Sequence, residues 1–205
     1  MADGGIDAVV FDVGKVLVRW ERERPYLAAI PDPAERARFL DEVVTFEWHM
    51  EHDAGRSAAD MVAERSALFP HHAGLIARWF SHFNETIPGP VEGMPGIVEA
   101  LDARGVPLYA ITNFGADTWA GFRPSFPLAD RFRDIVVSGV EKLAKPDPAI
   151  YALAARRFGR DPAAMLFIDD SLPNVVAARD CGWHTHHFVD APTLRADLSA
   201  RGLLD

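Results

Sequence analysis

The sequence predicts an α/β fold, a Rossmann-like parallel sheet with helices on both faces plus a small inserted α-helical cap, and three observations carry that prediction. From Met94 onward, helical stretches alternate with short apolar runs, the pattern of a parallel sheet covered by helices. An earlier run, Ala8-Val9-Val10-Phe11, stops at Asp12-Val13-Gly14, as a buried strand delivering a carboxylate to a sheet edge would. Between these regions, residues from about Glu21 to about Phe83 show helical periodicity and many charges but no convincing β-branched run. The domains that follow are a core made of 1–17 and 90–205 and a cap of 18–89.

Each element has its own local reason. Pro31-Asp32-Pro33 marks one cap-helix start, Asp53-Ala54-Gly55-Arg56-Ser57 a break before another, and Phe69-Pro70-His71 a third junction. Pro88-Gly89-Pro90 closes the insertion. The core then reads as helix Pro95 to Arg104, strand Pro107 to Ile111, helix Asp117 to Phe122 and strand Asp134 to Val137. It continues with helix Pro148 to Phe158, strand Met165 to Ile168, helix Pro173 to Cys181, strand Thr185 to Phe188 and a last helix from Thr193. In such sheets ligands bind beyond the carboxyl ends of the strands. That rule gathers Asp12, Thr112, Asp169 and Asp170, which all fall at predicted strand ends.

Composition narrows the function classes. At 205 residues and 49% hydrophobic, the chain fits one large domain, or a domain with a modest insertion, and fills a core. A net charge of -9 and a pI near 5.3 repel nucleic acid and anionic membrane surfaces, yet leave room for a locally positive anion site. The lone Cys181 makes no intramolecular disulfide. Met1-Ala2-Asp3-Gly4-Gly5 lacks a basic region leading into an apolar stretch, and nowhere do eighteen apolar residues run together. The expectation is a cytoplasmic monomer or homodimer, the aromatic content of the cap permitting the second.

Four segments carry chemistry: the Asp12 run, Leu108-Tyr109-Ala110-Ile111-Thr112-Asn113, Lys145-Pro146, and Leu166-Phe167-Ile168-Asp169-Asp170. In order and character they resemble the four motifs of the haloacid dehalogenase superfamily, in its subfamily with a helical cap, most of whose members are phosphatases. The resemblance spans nearly the whole chain and is strongest in SGVEKLAKPDPAIY, ending at Tyr151, and FIDDSLPN, ending at Asn174. An isolated aspartate after a strand ordinarily caps a turn; in this company Asp12 reads as a nucleophile. It would attack phosphorus and give an aspartyl phosphate that water hydrolyses, splitting one hard displacement into two. Asp12, Asp169 and Asp170 form an oxygen-rich cluster suited to Mg²⁺. By the resemblance, Asp170 is a direct ligand, Asp169 an indirect or alternate one, and the backbone carbonyl of Gly14 a further contact. Thr112 and Asn113 offer a hydroxyl and a backbone N–H to phosphoryl oxygens. Lys145 is the cation that neutralises the phosphoryl group and positions Asp12, with Pro146 keeping the adjoining backbone out of helix. Asn174 orders the loop around Asp170 or caps its helix.

One position departs from the pattern. The resemblance implies a second aspartate two residues after the nucleophile, protonating the leaving oxygen and then activating water, and Gly14 stands there, giving Asp-x-Gly. Such acid–base groups contribute about 10² to 10⁴ in rate. Glycine supplies none of it, so turnover is limited to good leaving groups, or another acid is recruited, or catalysis is lost. Glu47, His49 and His52 are the candidate replacements. Lys15, next in sequence, is either a solvated loop lysine or a further phosphate contact. Arg19, Trp20, Glu47, Trp48, His49, His52, Asp53 and Arg56 are the polar and aromatic candidates to face the site from the cap, Lys15, Arg19, Trp20, Trp48 and His52 being named as substrate contacts. His186-His187 lacks the spaced partners a zinc site needs.

The leading expectation is therefore a Mg²⁺-dependent phosphatase of small phosphate esters, sugar phosphates among them. The runner-up is a 2-haloacid dehalogenase, in which Asp12 attacks carbon and halide departs without a proton. That chemistry suits Gly14, but by the resemblance those enzymes use no metal and lack the Asp169-Asp170 pair. A third reading is a non-catalytic phosphometabolite-binding protein.

Overall fold

The computed structural model describes residues 5–205, so the reading of Met1 to Gly4 lies outside the described residues. Five parallel strands, β1 Ala8–Phe11, β2 Leu108–Thr112, β3 Asp134–Val137, β4 Met165–Asp169 and β5 His184–His187, form one sheet in the order β3-β2-β1-β4-β5. The central strand pairs on both sides, Phe11 lying opposite Ala110 of β2 and Ile168 of β4. Its residues are buried throughout, as expected where helices cover both faces of a parallel sheet. Alternate residues divide between two cores. Val9 and Phe11 join the larger one with residues of the helices that follow β1, and Ala8 and Val10 join Ile150, Tyr151, Phe167 and Trp183 on the other face.

Between β1 and α5 Met94–Ala103 lie four α-helices: α1 Pro33–Glu42, α2 Phe46–Asp53, α3 Ala58–Leu68 and α4 Ala73–Ser81. Capping sets their starts. Asp32, Thr45 and Ser57 each accept a bond from the backbone N–H three residues on, satisfying one of the free donors of a first turn. The unit leaves and rejoins the core at one place, where Arg19 N–H donates to Gly89 O and Val91 N–H donates to Leu17 O. Tyr26 and Trp79 stack in the middle of this unit, flanked by Phe39 and Phe83.

The rest of the chain adds α6 Ala116–Phe122, the short α7 Ser138–Glu141, α8 Pro148–Phe158, α9 Leu172–Asp180 and α10 Ala191–Ala200. Several sequence expectations shift by a residue or two, β2 covering Leu108–Thr112 rather than Pro107 to Ile111 among them. α10 begins at Ala191 rather than Thr193, because Asp190 accepts from Thr193 N–H and so caps the helix two residues earlier, while Pro192 needs no donor in a first turn. β5 covers His184–His187 rather than Thr185 to Phe188, since Leu166 of β4 pairs with His184. No helix among the described residues is long and apolar enough to cross a membrane.

Candidate active site

Three strand ends meet at the carboxyl edge of the sheet. Asp12 follows β1, Asn113 follows β2, and Asp169 ends β4 with Asp170 after it. Lys145 enters from the loop before α8 and is 2% exposed. Its Nζ lies 2.8 Å from Asp12 Oδ1 and 2.7 Å from Asp169 Oδ2. The backbone carrying it is clamped by Asn113, whose Nδ2 donates to Lys145 O and whose Oδ1 accepts from Lys145 N–H, both at 2.9 Å. Asn113 thus fixes the lysine with its side chain while lining the cavity. Thr112 is buried at the end of β2, opposite Val137, and is not part of the cavity wall.

Asp169 is fully buried and fully engaged. Besides Lys145 it accepts from Ser171 N–H at 2.8 Å and from Asn174 Nδ2 at 3.1 Å. Asn174 therefore braces Asp169, and its own carbonyl is held by the Tyr151 hydroxyl at 3.0 Å. Asp170 is more open, with Lys15 Nζ 3.9 Å away. Carboxylate oxygens of Asp12, Asp169 and Asp170 lie within 4.8 Å of one another. An all-oxygen donor set of this kind suits Mg²⁺. Asp169 is saturated by hydrogen bonds, so Asp170 and the second oxygen of Asp12 are the carboxylate donors of this cluster that stay open.

Electrostatics follow from burial. Desolvation pushes the Asp12 carboxyl up to about 7, with Lys145 pulling against it and Asp169 adding to it. Burial works to lower the Lys145 ammonium, but the Asp12 and Asp169 carboxylates outweigh it and hold the group above the ordinary lysine value. Lysine is therefore the fixed positive charge of the site.

Above these groups lies a cavity of about 590 Å³. Trp20, Phe46, Met50, Phe83 and Phe114 supply much of its apolar wall, and His49 and Asp53 enter it from α2. Lys15 stands at the mouth in a left-handed conformation (φ 60°), its Nζ 5.6 Å from the Trp20 ring. A Cβ added to Gly14 would meet no atom within 4 Å; the place of the missing aspartate is open space.

Several residues of the inserted helical unit are not where the sequence suggested. Trp48 is 6% exposed and packs on Phe80, within the helical unit rather than on the cavity. His52 is also outside the wall, because its nitrogens are taken by Arg56 O at 2.9 Å and by Asp117 Oδ1 at 2.9 Å. It joins α2 to α6. Arg19 points to Glu21 at 3.6 Å, Arg56 binds Glu51 and Glu64, and Glu47 is exposed, none lining the cavity. Trp20, Lys15, His49 and Asp53 do line it. The apolar residues Phe46, Met50 and Phe83 of the inserted helical unit and Phe114 of the loop after β2 were missed; in sequence such side chains look like any core residue.

The chain is similar to several known proteins. The chain is 25% identical over 185 residues to the sesquiterpene phosphatase astK of Aspergillus oryzae, covering 90% of each. It is 29% identical over 186 residues to a phosphoglycolate phosphatase of Thiobacillus denitrificans, covering 86% of this chain and 80% of that one. A haloacid dehalogenase family enzyme from Bacteroides thetaiotaomicron, solved in complex with magnesium and inorganic phosphate, superposes with a TM-score of 0.70 at 22% identity, over 91% of this chain and 96% of that one. The family model for haloacid dehalogenase-like hydrolases matches residues 6–182, and the chain belongs to that family of hydrolases.

Proposed function

We propose that this chain is a Mg²⁺-dependent phosphatase of small phosphate monoesters acting through an aspartyl phosphate on Asp12. The observation that carries the proposal is the buried Lys145 bridging Asp12 and Asp169 beside the open carboxylate of Asp170. Lys145 aims one Asp12 oxygen and offers positive charge to an incoming phosphoryl group; Asn113 fixes the lysine, and Asn174 with Ser171 fixes Asp169. Asp170, the second oxygen of Asp12 and the Gly14 carbonyl would hold magnesium, which when bound offsets the repulsion between anionic substrate and carboxylate. The Asp12 carboxylate then attacks phosphorus, the ester oxygen departs, and water releases phosphate from the acyl phosphate.

The cavity wall bears on the substrate class. Sugar hydroxyls need polar partners, since burying them unpaired is costly. Beyond the groups of the anion site and His49 with Asp53, the wall offers the aromatic rings of Trp20, Phe46, Phe83 and Phe114. An ester whose alcohol is largely apolar fits this wall better than a sugar phosphate. A dehalogenase would leave the Asp169–Asp170 pair and its bracing without a task.

The test is phosphate release from prenyl, aryl and sugar phosphates, with and without chelator, beside halide release from 2-chloropropionate. Mg²⁺-dependent phosphate release abolished by Asp12→Asn is expected, with kcat/KM higher for the apolar esters. Phosphate release unaffected by both chelator and Asp12→Asn contradicts the mechanism, and metal-independent halide release replaces it.

A further inference from the structure

We propose that Asp53, delivered from the cap by α2, is the general acid and base that replaces the aspartate missing at Gly14. The inference rests on the phosphatase reading. Its basis is a shared cavity and an elimination among its walls. The titratable groups lining the cavity are Asp12, Lys15, His49, Asp53, Lys145 and Asp170. Asp12 is assigned to attack, Asp170 to the cation, and Lys145 is locked between two carboxylates. Lys15 is solvent-exposed at the mouth beside Asp170. His49 is 4% exposed and packed against Trp20, Trp79 and Phe83; burial pushes its imidazolium down to about 3, so it has no acidic proton to give near neutrality.

Asp53 remains. It is 3% exposed, and its Oδ1 has no hydrogen-bond partner among the described residues. Its Oδ2 is 3.3 Å from His49 Nε2, one turn back on the same helix. A buried carboxyl without a cationic partner keeps its proton. Burial is the chief cause, and with the nearby Asp12 charge it raises Asp53 to about 8 against the Gly115 amide and Lys145. Neutral His49 accepts from or donates to it without imposing a charge. Although Asp53 belongs to the cap, Ser138 Oγ at the start of α7 donates to its backbone carbonyl at 2.5 Å. The backbone that carries the carboxyl is therefore tied to the helix that follows β3.

The chemistry balances in two steps. As Asp12 Oδ bonds to phosphorus and the ester P–O bond breaks, the Asp53 carboxyl gives its proton to the departing oxygen and the alcohol leaves. Water then attacks the phosphorus of the aspartyl phosphate; the Asp53 carboxylate takes its proton, the P–O bond to Asp12 breaks, and phosphate departs with Asp53 protonated again. His49 is a positioning residue for this carboxyl.

The experiment compares 2,4-dinitrophenyl phosphate, whose leaving group needs no proton, with phenyl phosphate, in the full chain supplied with Mg²⁺. Asp53→Asn is expected to release one dinitrophenolate per chain in a burst and then turn over slowly, and to lose about 10² to 10⁴ on phenyl phosphate. Adding Gly14→Asp, which the open space allows, is expected to restore phenyl phosphate hydrolysis in the Asp53→Asn chain. Wild-type rates on phenyl phosphate in Asp53→Asn, or equal loss on both esters without a burst, overturn the assignment while leaving Asp12 as nucleophile wherever Asp12→Asn is inactive. No phosphate release by the wild type overturns both readings. Should Asp53→Asn fail to fold, the wild-type rates across aryl leaving groups decide: a shallow dependence on leaving-group acidity supports an acid in the site, and a steep one rejects it.

Discussion

Replacing Asp53 by asparagine should change how stability depends on pH, whatever it does to turnover. In the folded chain the carboxyl is raised from 3.8 to about 8, so between those values the folded state holds a proton that the unfolded chain has lost. Stability from this group is complete below pH 3.8 and declines as pH climbs to 8, at up to about 1.4 kcal/mol per unit. His49, lowered from 6.5 to about 3, acts oppositely: the unfolded chain takes up a proton below 6.5 that the folded one refuses, so stability rises from pH 3 to 6.5. The two slopes offset one another up to 6.5, and of this pair only Asp53 titrates from 6.5 to 8, with Asp12, raised to about 7, declining beside it in both chains. Over that window the decline due to Asp53 comes to about 2 kcal/mol, or roughly 4–8 °C in Tm for a chain of this size. The assay is thermal melting of wild type and Asp53→Asn, without added metal, at half-unit intervals. Subtraction removes Asp12 and the other groups that both chains share. The Tm of the wild type is expected to fall relative to that of the variant between pH 6.5 and 8; a constant difference across the window would show that Asp53 is already ionised in the fold.

Lys145→Met leaves Asp12 and Asp169 buried without their shared cation, which should cost about 3–5 kcal/mol, lower Tm by roughly 6–20 °C in chelator and abolish phosphate release; an unchanged Tm would mean the two ion pairs contribute nothing to stability. Trp20→Ala removes a ring that stacks on His49 at 5.3 Å and lines the cavity, and should raise KM by about tenfold with kcat little changed, whereas a fall in kcat at constant KM would move Trp20 from binding to chemistry. In Gly115→Ala the new Cβ would overlap the His52 ring, so α2 and α6 should separate, with a loss of about 1–3 kcal/mol and faster proteolysis between residues 53 and 58; resistance equal to wild type would show that the ring moves aside freely.

How far the site was readable depends on what kind of signal each residue left. Asp12, Lys145, Asp169 and Asp170 are legible through the company they keep: an isolated aspartate after a strand ordinarily caps a turn, and it is the four segments together, in their order along the chain, that mark these residues. The strand bounds came within a residue, because short apolar runs stand out from the polar and Gly- or Pro-containing segments between them. The segment between β1 and α5 was legible as helices but not as faces. Trp48 and His52 alternate with His49 and Asp53 on one short helix, and whether a given turn looks at the cavity or at α4 and α6 depends on how that helix is rotated, which its own pattern does not state. Gly115 settles the matter physically: only a residue without a side chain there lets the His52 ring pack in and reach Asp117, and that turns His49 and Asp53 toward Asp12.

The position of β1 in the middle of the sheet has a consequence for how the chain comes into being. Its partner on one side, β2, lies about a hundred residues downstream, and its partner on the other, β4, more than one hundred and fifty. A ribosome that has made everything up to β3 has produced an apolar ribbon with one flank still bare, a ready template for another nascent chain. Cutting the gene before the codons of Met165–Asp169 would therefore be expected to yield aggregates rather than a smaller, weaker hydrolase.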